Sequence, residues 1–442
     1  MTTDTTKLGP VTKGARIDAL DILRGVAVLG ILLMNIPEMG LRFEWGKPPL
    51  PVAANPDWIA YAIQTVGFSG TMRGLFTLLF GAGMVIMLRR ADAEQEGVAR
   101  QAYYTRCFAL MVLGVINFAV FLWPGEILFN YGLCGLVLPL FLRAPPRMLV
   151  TAAVAMLAVM TIGIAAPALK NVEAMRTTEA AMAAKAAGKT LTKDQKAAIE
   201  KRETRIKERL GPEAREKERQ TRTHMPDLLA WSVQQWTTFN LDLNEGAHIF
   251  LLESIAFMLL GVALLQTGVL TGERPASTYW TLLGIGLVVG LAVRGGVVYA
   301  RWNTGYLANS FATPLEPLTY ELGRLFMTLA WLGGLMLLIK ARVLGGLAGV
   351  LSAVGRMALT NYIVQSVVTS ILFYGLGFYD KFGFAQLMGV AALIWVGQSI
   401  ASVLWLKAYE MGPAEWLLRS LTYGSWRSMR RDSPVLTPQP AE

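Results

Sequence analysis

The sequence predicts an all-α polytopic membrane protein of about ten transmembrane helices, with a charged helical extramembranous insert near its middle. Three observations carry that expectation. Over 442 residues the chain is 54% hydrophobic and 16% charged, with a mean hydropathy of +0.43, whereas soluble proteins carry about 25% charged residues. Apolar runs close to the roughly 20-residue length that crosses a bilayer recur from start to end. Outside one segment, the basic residues behind the net charge of +10 sit at the ends of those runs. The charge therefore speaks for a membrane surface and not for nucleic acid.

Taken in order, the apolar windows place spans near 17–37, 71–88, 103–122, 126–142 and 147–168, then 247–266, 279–299, 319–341, 356–375 and 384–407. The short apolar stretch from Trp58 to Phe68 reads as a re-entrant or interfacial helix. No small-residue cleavage site follows the first apolar run, so that run is expected to be retained as a helix. Lys7, Lys13, Arg16, Arg89, Arg90, Arg100, Arg106, Arg143, Arg147, Lys340, Arg342, Arg356, Lys407 and Arg419 fall at alternate ends of the spans, against few on the other side. That asymmetry puts both termini in the cytoplasm of a bacterial inner (plasma) membrane. Trp45, Trp58, Trp123 and Trp302 then lie near the outer interface. Cys107 and Cys134 both lie in apolar segments and read as small packing residues.

Residues 169–246 stand apart, with an alanine-rich stretch followed by the mixed charges of Lys201 to Arg219. Such a composition favours exposed helix. A solvated helical hairpin covering the bundle is one account of this insert, and a dedicated partner- or substrate-binding lid the other. The expected organisation is a five-helix membrane half over 1–168, the extracytoplasmic insert over 169–246, a second five-helix half over 247–431 and a disordered tail over 432–442.

Several polar groups sit where lipid would penalise them, and intramembrane ionisable residues are candidates for function. Asp21, Arg24 and Asn35 form a polar stripe on the first span, with Asn35 about 16 Å along the axis from Arg24. The pair is either a structural lock or a substrate contact. Asn117, Glu126, Asn130 and Tyr131 gather around the turn Trp123-Pro124-Gly125, where Glu126 serves a helix dipole, a proton transfer or a substrate. Asn361 and Gln365 share a face beside Tyr362, as interhelical polar glue or as ligand contacts. Arg73 stands at the start of the second span, and Arg356 at a cytoplasmic end where it could serve a phosphate. His248 opens the sixth span as an interfacial histidine or a catalytic one, whereas His224 lies in the charged insert. No metal-ligand spacing and no phosphate loop is evident.

Leu20-Asp21-Ile22-Leu23-Arg24-Gly25 with Asn35, then Leu75-Phe76-Thr77-Leu78-Leu79-Phe80-Gly81-Ala82-Gly83, resemble the opening of YeiB-like proteins of the domain-of-unknown-function 418 family. Gly355-Arg356-Met357-Ala358-Leu359-Thr360-Asn361-Tyr362 and Gly412-Pro413-Ala414-Glu415-Trp416 resemble its C-terminal blocks. The likeness covers nearly the whole chain except the insert. The opening block is also distantly similar to membrane acyltransferases that include heparan-alpha-glucosaminide N-acetyltransferase, which move an acyl group from cytoplasmic acyl-CoA across the membrane. The family usually has a histidine at the position of Asn117 and an aspartate at that of Glu126. A base would then have to come from Glu126, Asp21 or His248.

Three functional expectations follow. The first is a transmembrane acyltransferase with no bound cofactor and acyl-CoA as co-substrate. In it, Arg24 and Arg356 take the phosphates, Asp21 orients Arg24, and Asn35, Asn117 and Asn361 place the reacting groups. The second is a transporter or flippase of a small amphipathic molecule, and the third a scaffold without a ligand. The expected partners are the lipid bilayer and a small-molecule or lipid substrate, with no nucleic acid, and a homodimer is compatible with the sequence.

Overall fold

The computed structural model describes residues 18–41, 55–89, 96–243, 247–303, 312–426 and 428–431. Lys7, Lys13, Arg16, Trp45, Arg90 and the expected tail 432–442 lie outside the described residues. Among the described residues the chain is helical, with eight helical stretches long and apolar enough to cross a membrane. They are Asp18–Gly40 (α1), Pro56–Arg89, Gly97–Phe121, Pro146–Ile164, Ala247–Gln266 (α10), Ala276–Ala300, Thr319–Lys340 and Phe384–Ala408 (α15). The pair Gly346–Arg356 (α13) and Ala358–Gly375, whose first part, Ala358–Ser370, is α14, is bent by 77° and reaches that length and hydropathy only when taken together, as a broken span or a re-entrant loop. The protein is an all-α multi-pass membrane protein.

The remaining sequence-expected span, 126–142, is an α-helix over Leu128–Val137 (α5) closed by a 3-10 turn over Leu138–Phe141. Those 14 residues extend only about 23 Å, short of a hydrocarbon core of about 30 Å. The shortfall has a visible cause. After Glu96–Phe121 (α4), the loop turns at Leu122, which takes a left-handed φ of 55°, and descends into the bundle. The Glu126 carboxylate of the loop and the Phe129 amide in the first turn of α5 then meet α4 at Gly114, seven residues or roughly 10 Å below its end. The stretch Pro56–Arg89 divides into Pro56–Gly67 (α2) and Thr71–Arg89 (α3), broken at Gly70 with φ 68°. Asn55 caps α2 by accepting from the Asp57 N–H. Trp58 and Tyr61 are buried against Trp302 and Phe384, so α2 packs on its neighbours at the bundle's edge.

One end of the bundle, the N-terminal face, gathers the start of α1, the end of α3, α13 and Pro413–Tyr423 (α16). There α1 and α13 cross at contact distance: a Cβ on Gly355 would land on the Asp21 carbonyl oxygen, and one on Gly25 on that of Leu351. Small residues at such a crossing let backbones approach in a medium with no hydrophobic drive between helices. The opposite end is the insert face. Its insert begins without a break, because Pro146–Ala186 (α6) runs 41 residues from the membrane span onward. It continues as Lys193–Leu210 (α7), opened by a capping box between Thr192 and Gln195, then Pro212–Thr223 (α8) and Met225–Asn240 (α9).

The charged helices α7 and α8 are largely solvated, but the insert is also docked. Arg222 is 2% exposed, donates from Nη2 to the Glu38 carbonyl at 2.9 Å, and lies over the Trp231, Tyr374 and Tyr379 rings. Tyr379 donates to Glu218 at 3.2 Å. Thus α8 sits against the insert-face end of α1 and the segment that follows α14, whereas α9 packs on α4 and α10.

Candidate functional site

Beneath the insert lies a buried ionic cluster built from four helices. Arg73 at the start of α3 reaches Glu253 of α10 at 2.8 Å, and the same carboxylate pairs with Arg324 of Ala312–Lys340 (α12). Arg324 is fully buried, lies 3.5 Å from Glu321, donates from Nε to the Gly70 carbonyl at 2.9 Å and stacks over Phe257. Arg294, on Ala276–Asn303 (α11), donates from Nη1 to the Thr65 carbonyl at 2.8 Å. Arg294, Glu321 and Arg324 escaped sequence reasoning, although the signal was present. Each is an ionisable residue inside an apolar window, and that signal alone marks a membrane-buried site.

The cluster continues toward the middle of the bundle through Tyr131 of α5, whose hydroxyl shares a short hydrogen bond with Thr77 and lies within electrostatic reach of Arg73, Glu253 and Arg324. Tyr362 of α14 lies within reach of both Tyr131 and Glu126. Glu126 is 1% exposed and caps α5: it accepts from the Leu128 amide at 2.7 Å, from the Phe129 amide at 3.2 Å, and from Trp236 Nε1 at 3.1 Å. The Ile127 amide donates to the Tyr362 hydroxyl at 3.1 Å. Trp236 belongs to α9 and stacks on Phe118, so a residue of the insert completes the site. Asn117, one turn from Gly114, is wholly buried, and neither its amide nitrogen nor its oxygen has a partner. Asn130 accepts from the Cys134 thiol at 3.6 Å.

At the N-terminal face, Arg24 donates to the buried Asp21 at 3.3 Å. Arg106 of α4 lies within electrostatic reach of Arg24 and of Arg419 on α16. Beside them, between the start of α4 and α16, runs a groove of about 430 Å³ lined by Gln101, Thr105, Arg419 and Tyr423 among others. Arg356 takes no part in it and donates to the Glu410 carbonyl at 2.8 Å.

Other sequence candidates are spread more widely. Asn361 donates to Ser402 at 3.0 Å and to the Val354 carbonyl at 3.2 Å. Gln365 donates to Gln398 at 3.1 Å and to the Val28 carbonyl at 3.2 Å, which ties α14 to α15 and α1. Asn35 is half-buried near the insert-face end of α1, and His248 is exposed. Glu245, three residues before His248 in the sequence, lies outside the described residues. Asp21, Glu126 and Asn361 all face the protein interior, but they do not meet in one chamber. Val28, Ile31 and Leu32, none more than 2% exposed, fill the stretch of α1 between Arg24 and Asn35.

Comparison with known proteins extends this picture. Residues 264–425 match a family described as a protein of unknown function, DUF418. The chain is 30% identical to the uncharacterised protein YxaH of Bacillus subtilis over 97% of its own length and 99% of that protein's. It is 28% identical to the uncharacterised protein YeiB of Escherichia coli, covering 91% of the chain and 95% of the relative. An uncharacterised 39.9 kDa protein from the amylase 3′ region of Bacillus acidopullulyticus is 25% identical over 98% of the chain and its whole length. No solved structure matches. With apolar helices throughout and relatives aligned from end to end, the chain belongs to the YeiB-like DUF418 family of membrane proteins.

Proposed function

We propose that this protein is a membrane-embedded acyltransferase, taking an acyl group from a CoA thioester at the N-terminal face to an acceptor bound under the insert. In this reading the N-terminal face is cytoplasmic, as the basic residues of Arg89, Arg100, Arg106 and Lys340 suggest. The observation that carries it is a spacing. Along α4, the level of Arg106 and that of Gly114, which touches Glu126, differ by eight residues, about 12 Å. Guanidinium groups suited to phosphates thus stand within a pantetheine arm's length of a buried carboxylate.

In the transfer, the acceptor's hydroxyl or amine loses its proton to Glu126 as its oxygen or nitrogen bonds the acyl carbon. The carbon–sulfur bond breaks, and CoA leaves as the thiolate, which takes a proton to become the thiol. The unpartnered amide of Asn117 is placed to hold the acceptor. Arg24, Arg106 and Arg419 replace the sequence-expected pairing of Arg24 with Arg356, whose guanidinium is engaged by the Glu410 carbonyl.

Purified protein incubated with a labelled CoA thioester and isolated membranes is expected to move label into a membrane component. Arg24→Gln and Arg419→Gln are each expected to weaken CoA binding about tenfold, the loss of a charge-assisted contact. Absence of CoA binding at millimolar concentration rejects the reading. A transporter is the second reading, and the packed band of Val28, Ile31 and Leu32 between two polar ends favours it as a closed state. Uptake into proteoliposomes without CoA turnover would select it.

A further inference from the structure

The ionic cluster under the insert does not balance. Arg73, Arg294 and Arg324 face two carboxylates, Glu253 and Glu321. In formal charge, the adjoining Glu38 on α1 and Arg222 on the insert add one of each sign and leave the excess of one in place. Arg294 is the odd member. It is 6% exposed, makes no ion pair among the described residues, and leaves Nε and Nη2 buried without a partner. Within its electrostatic reach lie Glu321, which it shares with Arg324 and does not pair, and Arg324 itself, fully buried with Nη2 also unpartnered. A buried, unpaired guanidinium is among the most unfavourable features a fold can retain.

We infer that Arg294 and Arg324, with Arg73, form the binding site of a singly charged oxyanion, a phosphodiester presented from the insert face. One negative charge neutralises the net excess of one. The free N–H groups of two guanidiniums on neighbouring helices supply the donors, in the geometry that arginine offers to phosphoryl oxygens. Arg73, whose side chain is 19% exposed, is the member that remains open to an entering group. The site stands independently of acyl transfer: an oxyanion can bind here in a protein that never binds CoA. Its charge fits a lipid headgroup and a free phosphodiester alike.

The test uses the whole chain in an uncharged detergent, with thermal unfolding as readout and sodium chloride at matched ionic strength as control. One arm adds dimethyl phosphate; the other adds phosphatidylglycerol to the micelles, against diacylglycerol. A midpoint rise of about 2 °C is expected in wild type, and none in Arg294→Gln. A rise with the lipid alone assigns the oxyanion to a headgroup; a rise with dimethyl phosphate assigns it to a soluble ligand. Arg294→Lys keeps the charge but gives up the forked donors, so its half-saturating concentration is expected to increase about tenfold. This variant decides the matter if Arg294→Gln does not fold. No rise with either probe, an equal rise in Arg294→Gln, or unchanged saturation in Arg294→Lys overturns the inference.

Discussion

Glu253→Gln removes the charge on which the ionic cluster converges while keeping the side chain's volume. In the native protein its carboxylate, 6% exposed, pairs with Arg73 at 2.8 Å and with Arg324. After the substitution Arg324, with no exposed surface, retains only Glu321 at 3.5 Å, and Arg73 loses its ion pair. Breaking a buried pair from one side leaves an uncompensated charge and costs about 3–5 kcal/mol. Glutamine's oxygen can still accept from one guanidinium, which places the expected loss near the lower figure. Equilibrium unfolding in mixed dodecyl sulfate micelles measures it. Adding Arg73→Gln to Glu253→Gln is expected to restore part of the loss, because the second change removes one stranded cation; coupling between contacting residues is about 0.5–3 kcal/mol. A single-variant loss below about 1 kcal/mol, with no coupling, would refute a buried network and place these groups in water.

Two further perturbations address the insert and the N-terminal face. Arg222→Ala strips the insert of its cation over Trp231, Tyr374 and Tyr379 and of its bond to the Glu38 carbonyl; limited proteolysis is expected to cut near 211–224 several-fold faster, with the membrane helices intact. Glu415 accepts from the Leu359 and Thr360 amides at 2.7 and 3.1 Å and so caps α14 from α16. Burial pushes its carboxyl above the ordinary value of 4.5. For an acid so raised, the stabilising contribution is fully present below that ordinary value and is lost as pH rises through the folded one. Thermal midpoints of wild type are therefore expected to fall with rising pH across that window relative to Glu415→Gln, and parallel curves would contradict the assignment.

What the sequence made legible follows from which signals are local. Spans such as Ala247–Gln266 and Phe384–Ala408 announce themselves, because an uninterrupted apolar run of that length has one economical use. The i, i+4 pair of Asn361 and Gln365 was visible, and so was interhelical bonding as its use, since amides on one helix face must find partners outside that helix. The length of α5 was not legible. The window 126–142 has the composition of a span, and only the descent of the preceding loop to Gly114 shows that part of the membrane depth is crossed by irregular chain. Partners distant in sequence were hidden as well. Nothing near Glu126 points to Trp236, and nothing near Arg73 to Arg324, since 110 and 251 residues separate them. Arg106 and Arg419 read as topology markers, which explains why their meeting with Arg24 required the fold.

The descending loop also separates structural from functional roles around Glu126. Helix α5 begins inside the apolar bundle, where water cannot satisfy its first amides. Glu126 takes those of Leu128 and Phe129, and Tyr362 that of Ile127, so capping alone accounts for keeping both residues. Capping gives no account of Asn117, wholly buried one turn from the carboxylate's contact with α4 and bonded through neither oxygen nor nitrogen. An unsatisfied buried amide costs about 1–3 kcal/mol relative to an apolar group of its shape. Asn117→Leu, nearly equal in volume, is therefore expected to raise stability by about 1 kcal/mol while abolishing the protein's activity, since the amide it removes is the one that holds the acceptor in the proposed transfer. Lower stability in Asn117→Leu would mean the amide is bonded in the native protein, and unchanged activity would remove Asn117 from the site and leave Glu126 a helix cap.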